Sequence, residues 1–322
     1  MSLRRCAAFL APAVIAAVAW PATAGATLPG LNGRIAFVRP GSGIWEVNPD
    51  GSGLIRISSP TRRWSECDSE PAFSPKGSWL LFQGCNPARH VTNVGRMTFD
   101  GAKRKTIMTS ASGRVAPQTP AFSPSGRRIT FAAGSNRPRI FIANAGGGGA
   151  RRVGAVGYAP DWSSRGQIAF TVPENTNQWC NSTELDDIAV MRIDGSHRHQ
   201  LTHDYASYEP DWAPNGRHIA YSRDFTVGPG DYYTARTTMD CLHVRKADGP
   251  YGPEIMVADA NGANARRLTY SGGSHPSWSP DGGRITFERA GYVWIMRSNG
   301  KHKRRLIRGV QPAWQPLPAP GG

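Results

Sequence analysis

One short phrase recurs along this chain and constrains its fold more than any other feature: a proline followed two residues later by a large aromatic residue. It occurs as PAFSP at Pro71 and Pro120, PDWSS at Pro160, PDWAP at Pro210, PSWSP at Pro276 and PAWQP at Pro312. Five copies continue into a Gly-containing turn and an alternating apolar stretch, as in SPSGRRITF from Ser123. Alternation with a period of two marks a half-buried strand, so each copy predicts a β-hairpin.

A second hairpin follows in each repeat. Its turn is Asp50-Gly51, Asp100-Gly101, Asp194-Gly195, Asn261-Gly262 or Asn299-Gly300, and one unit uses the glycine run at 146–149. These dipeptides favour the positive φ values of tight hairpin turns. Each unit therefore predicts a four-stranded meander, with strands a and b joined by the first turn and c and d by the second. The prolines are 36 residues (Pro276 to Pro312) to 66 residues (Pro210 to Pro276) apart, as expected for a propeller with loops of variable length.

The two ends of the chain supply complementary halves of one unit. Residues 311–316, QPAWQP, form an a strand that no further strand follows. Residues 32–39, NGRIAFVR, form a b strand that lacks an a strand before it. The sequence therefore predicts an all-β, six-bladed β-propeller that is closed by pairing of the C-terminal strand with the N-terminal blade, which removes the open sheet edges.

The repeat, x-P-x-W/F-S-P-x-G-x-x-I-x-F followed by a hairpin that closes with Leu-Thr at Leu201 and Leu268, resembles the WD40-like (PD40) repeat of TolB-like propellers. The resemblance implies a periplasmic scaffold that binds partner proteins. Related propellers also serve peptidases and lyases, so the fold alone assigns no function. TolB-like proteins carry an α/β domain before the propeller, and we expect that domain to be absent here.

Residues 1–26 have the layout of an export signal, with two arginines, an apolar stretch at 6–20 and small residues before a cleavage position after Ala24 or Ala26. The apolar stretch is shorter than the ~20 residues of a membrane-spanning helix. We predict an exported protein, periplasmic or extracellular and not integral to a membrane, with the propeller at residues 27–322.

Removal of the signal would leave four cysteines, an even number that favours two disulfides in an exported protein. Cys180 and Cys241 fall in long insertions of neighbouring blades. Cys67 precedes an a strand and Cys85 follows the next b strand, so both lie at the same end of one hairpin. We predict the pairs Cys67–Cys85 and Cys180–Cys241.

The meander places the a–b and c–d turns on one face of the disc and the b–c and d–a loops on the other. We expect the formal net charge of +15 to be concentrated on the first face, which we call the basic face. Such a surface would attract anionic polymers. The alternative is that Arg and Lys are simply common in these turns. The candidate binding residues are Arg127, Arg128, Arg151, Arg152, Arg266, Arg267, Lys303, Arg304 and Arg305.

The other face, which we call the loop face, carries the insertions at 173–187 and 223–252. The second insertion is predicted to form a loop lobe, and aromatic residues on such loops often supply the contact energy of a binding site. The alternative is that these aromatics form a small core that holds the lobe in place. The candidates are Trp179, Phe225, Tyr232, Tyr233 and Tyr251.

The residues that precede the a-strand prolines are expected to ring the entrance of a central channel. They are Glu70, Thr119, Ala159, Glu209, His275 and Gln311. Their variety would suit an asymmetric small-ligand site. His203, His275 and a nearby carboxylate are the candidates for a metal site, but no HxH or HExxH spacing occurs on this face. No GxSxG elbow, P-loop or dinucleotide fingerprint is present either.

The sequence therefore favours an exported, monomeric propeller without catalytic residues, metal or cofactor. It would bind an envelope protein or an anionic cell-surface polymer, without specific recognition of nucleic acid. The alternative is a metal-dependent, polysaccharide-active enzyme, similar to lyases built on related propellers, that uses the loop face. Coordination of one point by His203, His275 and a carboxylate would favour the enzyme.

Overall fold

The computed structural model describes residues 30–58, 68–86, 91–109, 117–134, 137–173, 186–225, 232–233, 243–244 and 252–318. Within these ranges the strands form six four-stranded antiparallel sheets and one two-stranded sheet. Innermost strands from all six sheets line one central cavity, so the sheets are the blades of a propeller. The predicted all-β, six-bladed fold is confirmed.

The strands of each blade are given from the inner strand a to the outer strand d. Blade 1 contains β26 (Val310–Leu317), β1 (Leu31–Arg39), β2 (Gly43–Val47) and β3 (Ile55–Arg56). Blade 2 contains β4 (Ser69–Phe73), β5 (Trp79–Asn86), β6 (Val91–Thr98) and β7 (Lys105–Thr109). Blade 3 contains β8 (Pro117–Phe122), β9 (Arg128–Ala133), β10 (Arg139–Asn144) and β11 (Arg151–Val156).

The remaining blades follow the same order. Blade 4 contains β12 (Tyr158–Trp162), β13 (Gln167–Pro173), β14 (Asp186–Arg192) and β15 (His199–Gln200). Blade 5 contains β16 (Ser207–Trp212), β17 (His218–Arg223), β20 (Glu254–Asp259) and β21 (Arg266–Arg267). Blade 6 contains β22 (Ser274–Trp278), β23 (Arg284–Arg289), β24 (Tyr292–Arg297) and β25 (Arg304–Arg308). The two-stranded sheet, β18 (Tyr232–Tyr233) with β19 (His243–Val244), lies within the predicted loop lobe.

The C-terminal strand β26 closes the ring by antiparallel pairing with β1, as the sequence predicts. Ala313 lies opposite Ala36, and Trp314 lies opposite Ile35. The Trp314 side chain is buried in a cluster with Ile35 and Val293, so it joins blades 1 and 6. The Gln315 amide also donates a hydrogen bond of 2.9 Å to the carbonyl of Gly77 in blade 2. The last strand therefore contacts the blades on both sides of its own.

The hydrophobic core lies between the blades, because each blade packs against a neighbour on both of its faces. One cluster joins Ile140 and Val153 of blade 3 to Trp162 and Phe170 of blade 4. The b strands are consequently buried on both sides, whereas the outer strand β3 is exposed. The part of the chain that the structure describes has no helix long and apolar enough to span a membrane.

Three cysteines of the predicted disulfides, Cys67, Cys180 and Cys241, lie outside the described residues, as does the predicted signal at residues 1–26. Cys85 lies inside β5 rather than after it, because β5 stays paired with β6 as far as Asn86. Both disulfides therefore remain predictions.

Candidate binding site at the channel mouth

A residue with left-handed backbone precedes the repeated proline in every a strand. All six of these residues have φ between 45° and 55°. The strand register shifts by one residue at the same place, as between Ser69 and Ala72 of blade 2, which is the signature of a β-bulge. The ring of residues predicted from the sequence lines the central cavity: Glu70, Thr119, Ala159, Glu209, His275 and Gln311.

Hydrogen bonds between neighbouring blades connect this ring. The backbone N–H of each left-handed residue donates to a side chain of the preceding blade. The six donor–acceptor pairs are Glu70 N to Gln311 Oε1 (3.2 Å), Thr119 N to Gln83 Oε1 (3.2 Å), Ala159 N to Thr119 Oγ1 (3.2 Å), Glu209 N to Thr171 Oγ1 (3.0 Å), His275 N to Glu209 Oε2 (3.0 Å) and Gln311 N to Glu288 Oε2 (3.4 Å). Since every blade donates to one neighbour and accepts from the other, the channel mouth holds the ring together.

Three of the six acceptors occupy one repeat position, the residue after the central aromatic of strand b. Gln83, Thr171 and Glu288 all follow such an aromatic residue. The corresponding residues of blades 1 and 3, Val38 and Ala132, cannot accept a hydrogen bond. In those blades the side chain of the left-handed residue itself, Gln311 or Thr119, is the acceptor.

His275 is at the centre of a charged cluster at the mouth. Its Nε2 lies 2.9 Å from Glu209 Oε1, and its Nδ1 lies 3.4 Å from Glu288 Oε2. Ser222 also donates to Glu209 Oε2 at 3.0 Å. On the other side, the Gln311 amide donates to Glu70 Oε1 at 2.6 Å. Both ring nitrogens of His275 face carboxylate oxygens, and Nδ1 also lies 3.4 Å from Ser274 Oγ, so the surroundings favour the doubly protonated imidazolium.

The pKa values of the cluster agree with this assignment. Burial lowers the pKa of His275, but the Glu209, Glu70 and Glu288 carboxylates outweigh burial and raise it to about 9. For Glu209, burial acts in the opposite direction and raises the pKa, but the interaction with His275 outweighs burial and holds the pKa of Glu209 below its ordinary value. Burial dominates for Glu70 and Glu288, whose pKa values are raised. The mouth thus combines one cation with three carboxyl groups.

Replacement of His275 by asparagine, which tolerates left-handed backbone, should change how stability depends on pH. The pKa of His275 rises from 6.5 to about 9 on folding, so its stabilisation is complete below pH 6.5 and is lost as pH rises through 9. We expect the wild-type free energy of unfolding, relative to His275→Asn, to fall by on the order of 3 kcal/mol between about pH 6 and pH 10. Urea unfolding across this range measures the difference.

The matched control is His197→Asn. His197 is also left-handed, with φ of 53°, but it is exposed on a c–d turn. We expect the stability of this variant to run parallel to that of the wild type across the same pH range. A parallel curve for His275→Asn would contradict the imidazolium assignment.

Two further carboxyl groups line the channel below the mouth. Asp161 and Asp211 occupy the same position of the repeated phrase in blades 4 and 5. Each accepts a hydrogen bond of 2.8 Å from the backbone of the next blade, at Trp212 and Trp278 respectively. Burial raises the pKa of Asp161 to about 7 and that of Asp211 well above its ordinary value. The cavity of about 190 Å³ is therefore rich in carboxyl groups.

The predicted basic-face residues divide into two groups. Eight of them are exposed: Arg127, Arg128, Arg151, Arg152, Arg266, Lys303, Arg304 and Arg305. Arg267 is instead half-buried, and its guanidinium donates to the Glu254 carboxylate at 2.7 Å. It also lies 4.2 Å from the ring centroid of Phe225. Arg267 therefore stabilises blade 5 and its insertion.

Several exposed arginines of the basic face connect blades. Arg151 donates to the carbonyl of Ile193 in blade 4 at 3.2 Å, and Arg266 donates to Ser298 in blade 6 at 3.2 Å. Arg304 donates to the carbonyl of Pro49 in blade 1. These contacts give part of the positive charge a role in joining neighbouring blades.

The structure describes only part of the predicted lobe site. Phe225 packs against the core cluster that contains Trp212, between the guanidinium groups of Arg223 and Arg267. Phe225 is thus an anchor for the insertion. Tyr232 and Tyr233 lie in β18, whereas Trp179 and Tyr251 lie outside the described residues.

No metal-binding constellation occurs among the described residues: no three His, Cys, Asp or Glu side chains there are placed to hold an ion. His275 contacts Glu209 and Glu288, and the exposed His203 is not among its ion-pair or hydrogen-bond partners. The geometric test that would favour a metal-dependent enzyme is therefore not met in this part of the chain.

Comparison with known proteins gives one family and several similar folds. The model of the TolB beta propeller domain family matches residues 58–231. The fold is similar to TolB from Acinetobacter baumannii, with a TM-score of 0.64 and 18% identity over 88% of this chain and 67% of that chain. It is also similar to a putative TolB from Agrobacterium tumefaciens, with a TM-score of 0.60 and 17% identity over 87% and 91% of the two chains. A chain of a nidogen/laminin complex has a TM-score of 0.63 and 13% identity over 89% and 99%.

Proposed function

The chain belongs to the TolB β-propeller domain family, and we propose that it is a non-catalytic scaffold that binds a segment of a partner protein at the channel mouth. The similar propeller in the nidogen/laminin complex supports a role in protein binding. The export signal and two disulfides predicted from the sequence support a site of action outside the cytoplasm, in the periplasm or beyond the cell.

The charge of the channel mouth carries the proposal. The carboxyl groups of Glu70, Glu209 and Glu288 surround the single imidazolium of His275, and Asp161 and Asp211 lie deeper in the same cavity. Burial raises the pKa values of Glu70, Glu288, Asp161 and Asp211, and a nearby cation would lower them again, so these carboxyl groups ionise as a cation binds and favour it over a neutral or anionic ligand. A lysine or arginine side chain, or the amino terminus of a partner, fits this chemistry. We infer a protein ligand with a cationic end.

The proposed role is non-catalytic because the ionisable groups at the mouth are engaged with one another. Both ring nitrogens of His275 face carboxylates, and Glu209 also accepts from Ser222. A histidine held as an imidazolium with a pKa of about 9 is a poor general base at neutral pH. This supports a structural and recognition role for the cluster.

Substitution of Ala159 by tryptophan should block the mouth without removing a hydrogen bond, because only the backbone of Ala159 takes part in the ring. We expect this variant to lose the partner that wild-type protein captures from an envelope extract, with at least a tenfold fall in recovery. Quantitative mass spectrometry of the captured proteins measures the loss.

Ala102→Trp is the control for this experiment. Ala102 is exposed on a c–d turn of the opposite face, so the added indole has the same size but a different place. A partner lost from Ala159→Trp and retained by Ala102→Trp supports the proposed function. Retention by both variants would contradict binding at the channel mouth.

A further inference from the structure

Two arginines lie directly opposite each other at one end of the paired strands β23 and β24 in blade 6. Arg284 begins β23, Arg297 ends β24, and the register pairs them. Both side chains are exposed. Like charges directly opposite each other in a sheet destabilise it. The corresponding pairs are Arg128 with Asn144 in blade 3 and His218 with Asp259 in blade 5, and neither repeats the like-charge arrangement.

These arginines line a groove of about 260 Å³. His302 and Arg304 form its other polar wall, and Ile295 and Met296 complete it. We call this the blade-6 groove. Four of its six lining residues are basic, and none is acidic. A concave surface with this composition concentrates positive potential.

Two acidic side chains lie near the arginines of the groove: Asp281 near Arg284, and Asp50 near Arg304. Among the described residues, no salt bridge joins Arg284, Arg297 or Arg304 to an Asp or Glu. The pKa of Asp281 is lowered in part by Arg284, but its carboxylate already accepts from Ser279 at 2.6 Å. The same carboxylate also accepts from Gly283 and Asn32, at 2.8 Å each.

Arg304 is fixed at one side of the groove. It donates to the carbonyl of Pro49 in blade 1, which leaves other guanidinium N–H groups for a ligand. The like-charge pair, the absence of salt bridges to these three arginines among the described residues and the fixed position of Arg304 together indicate a site that attracts counter-charge from outside the protein.

We propose that the blade-6 groove binds the phosphate groups of an extended anionic polymer. A carboxylate presents two oxygens, which one guanidinium can satisfy in a bidentate pair. A phosphate presents more oxygens and can accept from several guanidiniums at once, so a groove with three arginines selects phosphate.

A polymer rather than a single ion is indicated by the cations that continue from the groove. Exposed basic residues follow the c–d turn and the outer strand β25: Lys301, Lys303, Arg305 and Arg308. The register shift in β25 places Arg304 on the same face as Ile295 of the groove, and Arg305 and Arg308 on the other face with Trp294 and Tyr292. The exposed Lys301 and Lys303 of the turn adjoin His302 and Arg304, so they extend the positive charge beyond the groove to where a second phosphate of the same chain can bind.

Replacement of both opposed arginines by glutamine tests the proposal. Arg284→Gln with Arg297→Gln should weaken the binding of inorganic polyphosphate to the full chain at least tenfold and reduce the salt dependence of binding. The control is Arg127→Gln with Arg128→Gln, which removes two exposed arginines from blade 3 of the same face. The control should lose less than threefold. Fluorescence anisotropy with labelled polyphosphate, at two salt concentrations, measures each affinity.

Two further measurements complete the test. Without ligand, the Arg284→Gln, Arg297→Gln variant should have a Tm equal to or above that of the wild type, because a like-charge pair is removed, so a loss of binding would not reflect unfolding. Polygalacturonate of matched charge should bind more weakly than polyphosphate. Equal losses in the two double variants, or equal affinity for the carboxylate polymer, would overturn the proposal.

Discussion

A chain that ends at Gly309 is expected to lose cooperative folding. The deleted strand β26 supplies the innermost strand of blade 1, and its Trp314 side chain is only 4% exposed. Loss of one buried tryptophan side chain costs about 3–5 kcal/mol, while a whole domain is stable by only about 5–15 kcal/mol. The deletion also leaves β1 with an unpaired edge and removes the contact with Gly77. We expect no cooperative thermal transition and strong binding of a hydrophobic dye.

A chain that ends at Pro318 is the control, since it keeps all of β26. Its Tm should lie within a few degrees of that of the full chain. Circular dichroism melting curves compare the three proteins. A cooperative transition near the wild-type Tm in the chain that ends at Gly309 would show that β26 does not close the propeller.

Replacement of Gly101 by alanine should cost far more stability than the same change at Gly51. Both glycines occupy Asp-Gly turns with positive φ, +79° and +96° respectively, so both alanines pay about 1–2 kcal/mol for left-handed backbone. A Cβ at Gly101 would lie 2.0 Å from the carbonyl oxygen of Ile57 in blade 1. At Gly51 the nearest atom is a flexible side-chain carbon of Leu306 at 3.6 Å.

The additional cost at Gly101 arises because a backbone carbonyl cannot move aside unless blades 1 and 2 separate. We expect a loss of about 3 kcal/mol or more for Gly101→Ala and about 1 kcal/mol for Gly51→Ala. Urea unfolding measures both values. Equal losses would mean that the turn glycines serve only the turn and not the packing of blades. Gly147 makes the same close approach to the carbonyl of Ile107 in blade 2, so the contact is a feature of the repeat.

The sequence predicts the fold well because the repeat is regular and its two incomplete copies lie at the ends of the chain. The a strand at Pro312 and the b strand at Asn32 are incomplete halves of one unit, and their pairing follows from the need to satisfy open edges. The ring of residues before the prolines was predictable for the same reason. Residues at the same position of each repeat occupy the same place in each blade, so together they form a ring around the axis.

Backbone conformation at that ring was not predictable. A residue that precedes proline normally prefers extended backbone, yet Glu70 and His275 have φ of 51° and 49°. The left-handed residue occurs together with a register shift between strands a and b, and no local sequence rule predicts this combination. The apolar alternation of strand b does not identify Glu288. A polar residue after the strand-b aromatic, as in ITFE at residues 285–288, is the signal that identifies it.

The sequence also does not predict which acidic residues the arginines contact. Arg104 and Arg267 come from turns of the basic face, but they pair with Asp68 and Glu254, whose carboxyl groups are buried. A turn position predicts only where the backbone of an arginine lies. Which buried carboxylate its guanidinium contacts can be read only from the packed structure.

Hydrogen–deuterium exchange along β26 tests the closed ring most directly. The register pairs Ala36 of β1 with Ala313 of β26. If β26 is hydrogen-bonded to β1 in this way, its amides should exchange only through global unfolding, as slowly as those of the buried strand β13. Exchange of residues 310–317 within seconds, at the rate of a frayed terminus, would contradict the six-bladed ring on which the channel mouth and its proposed binding site depend.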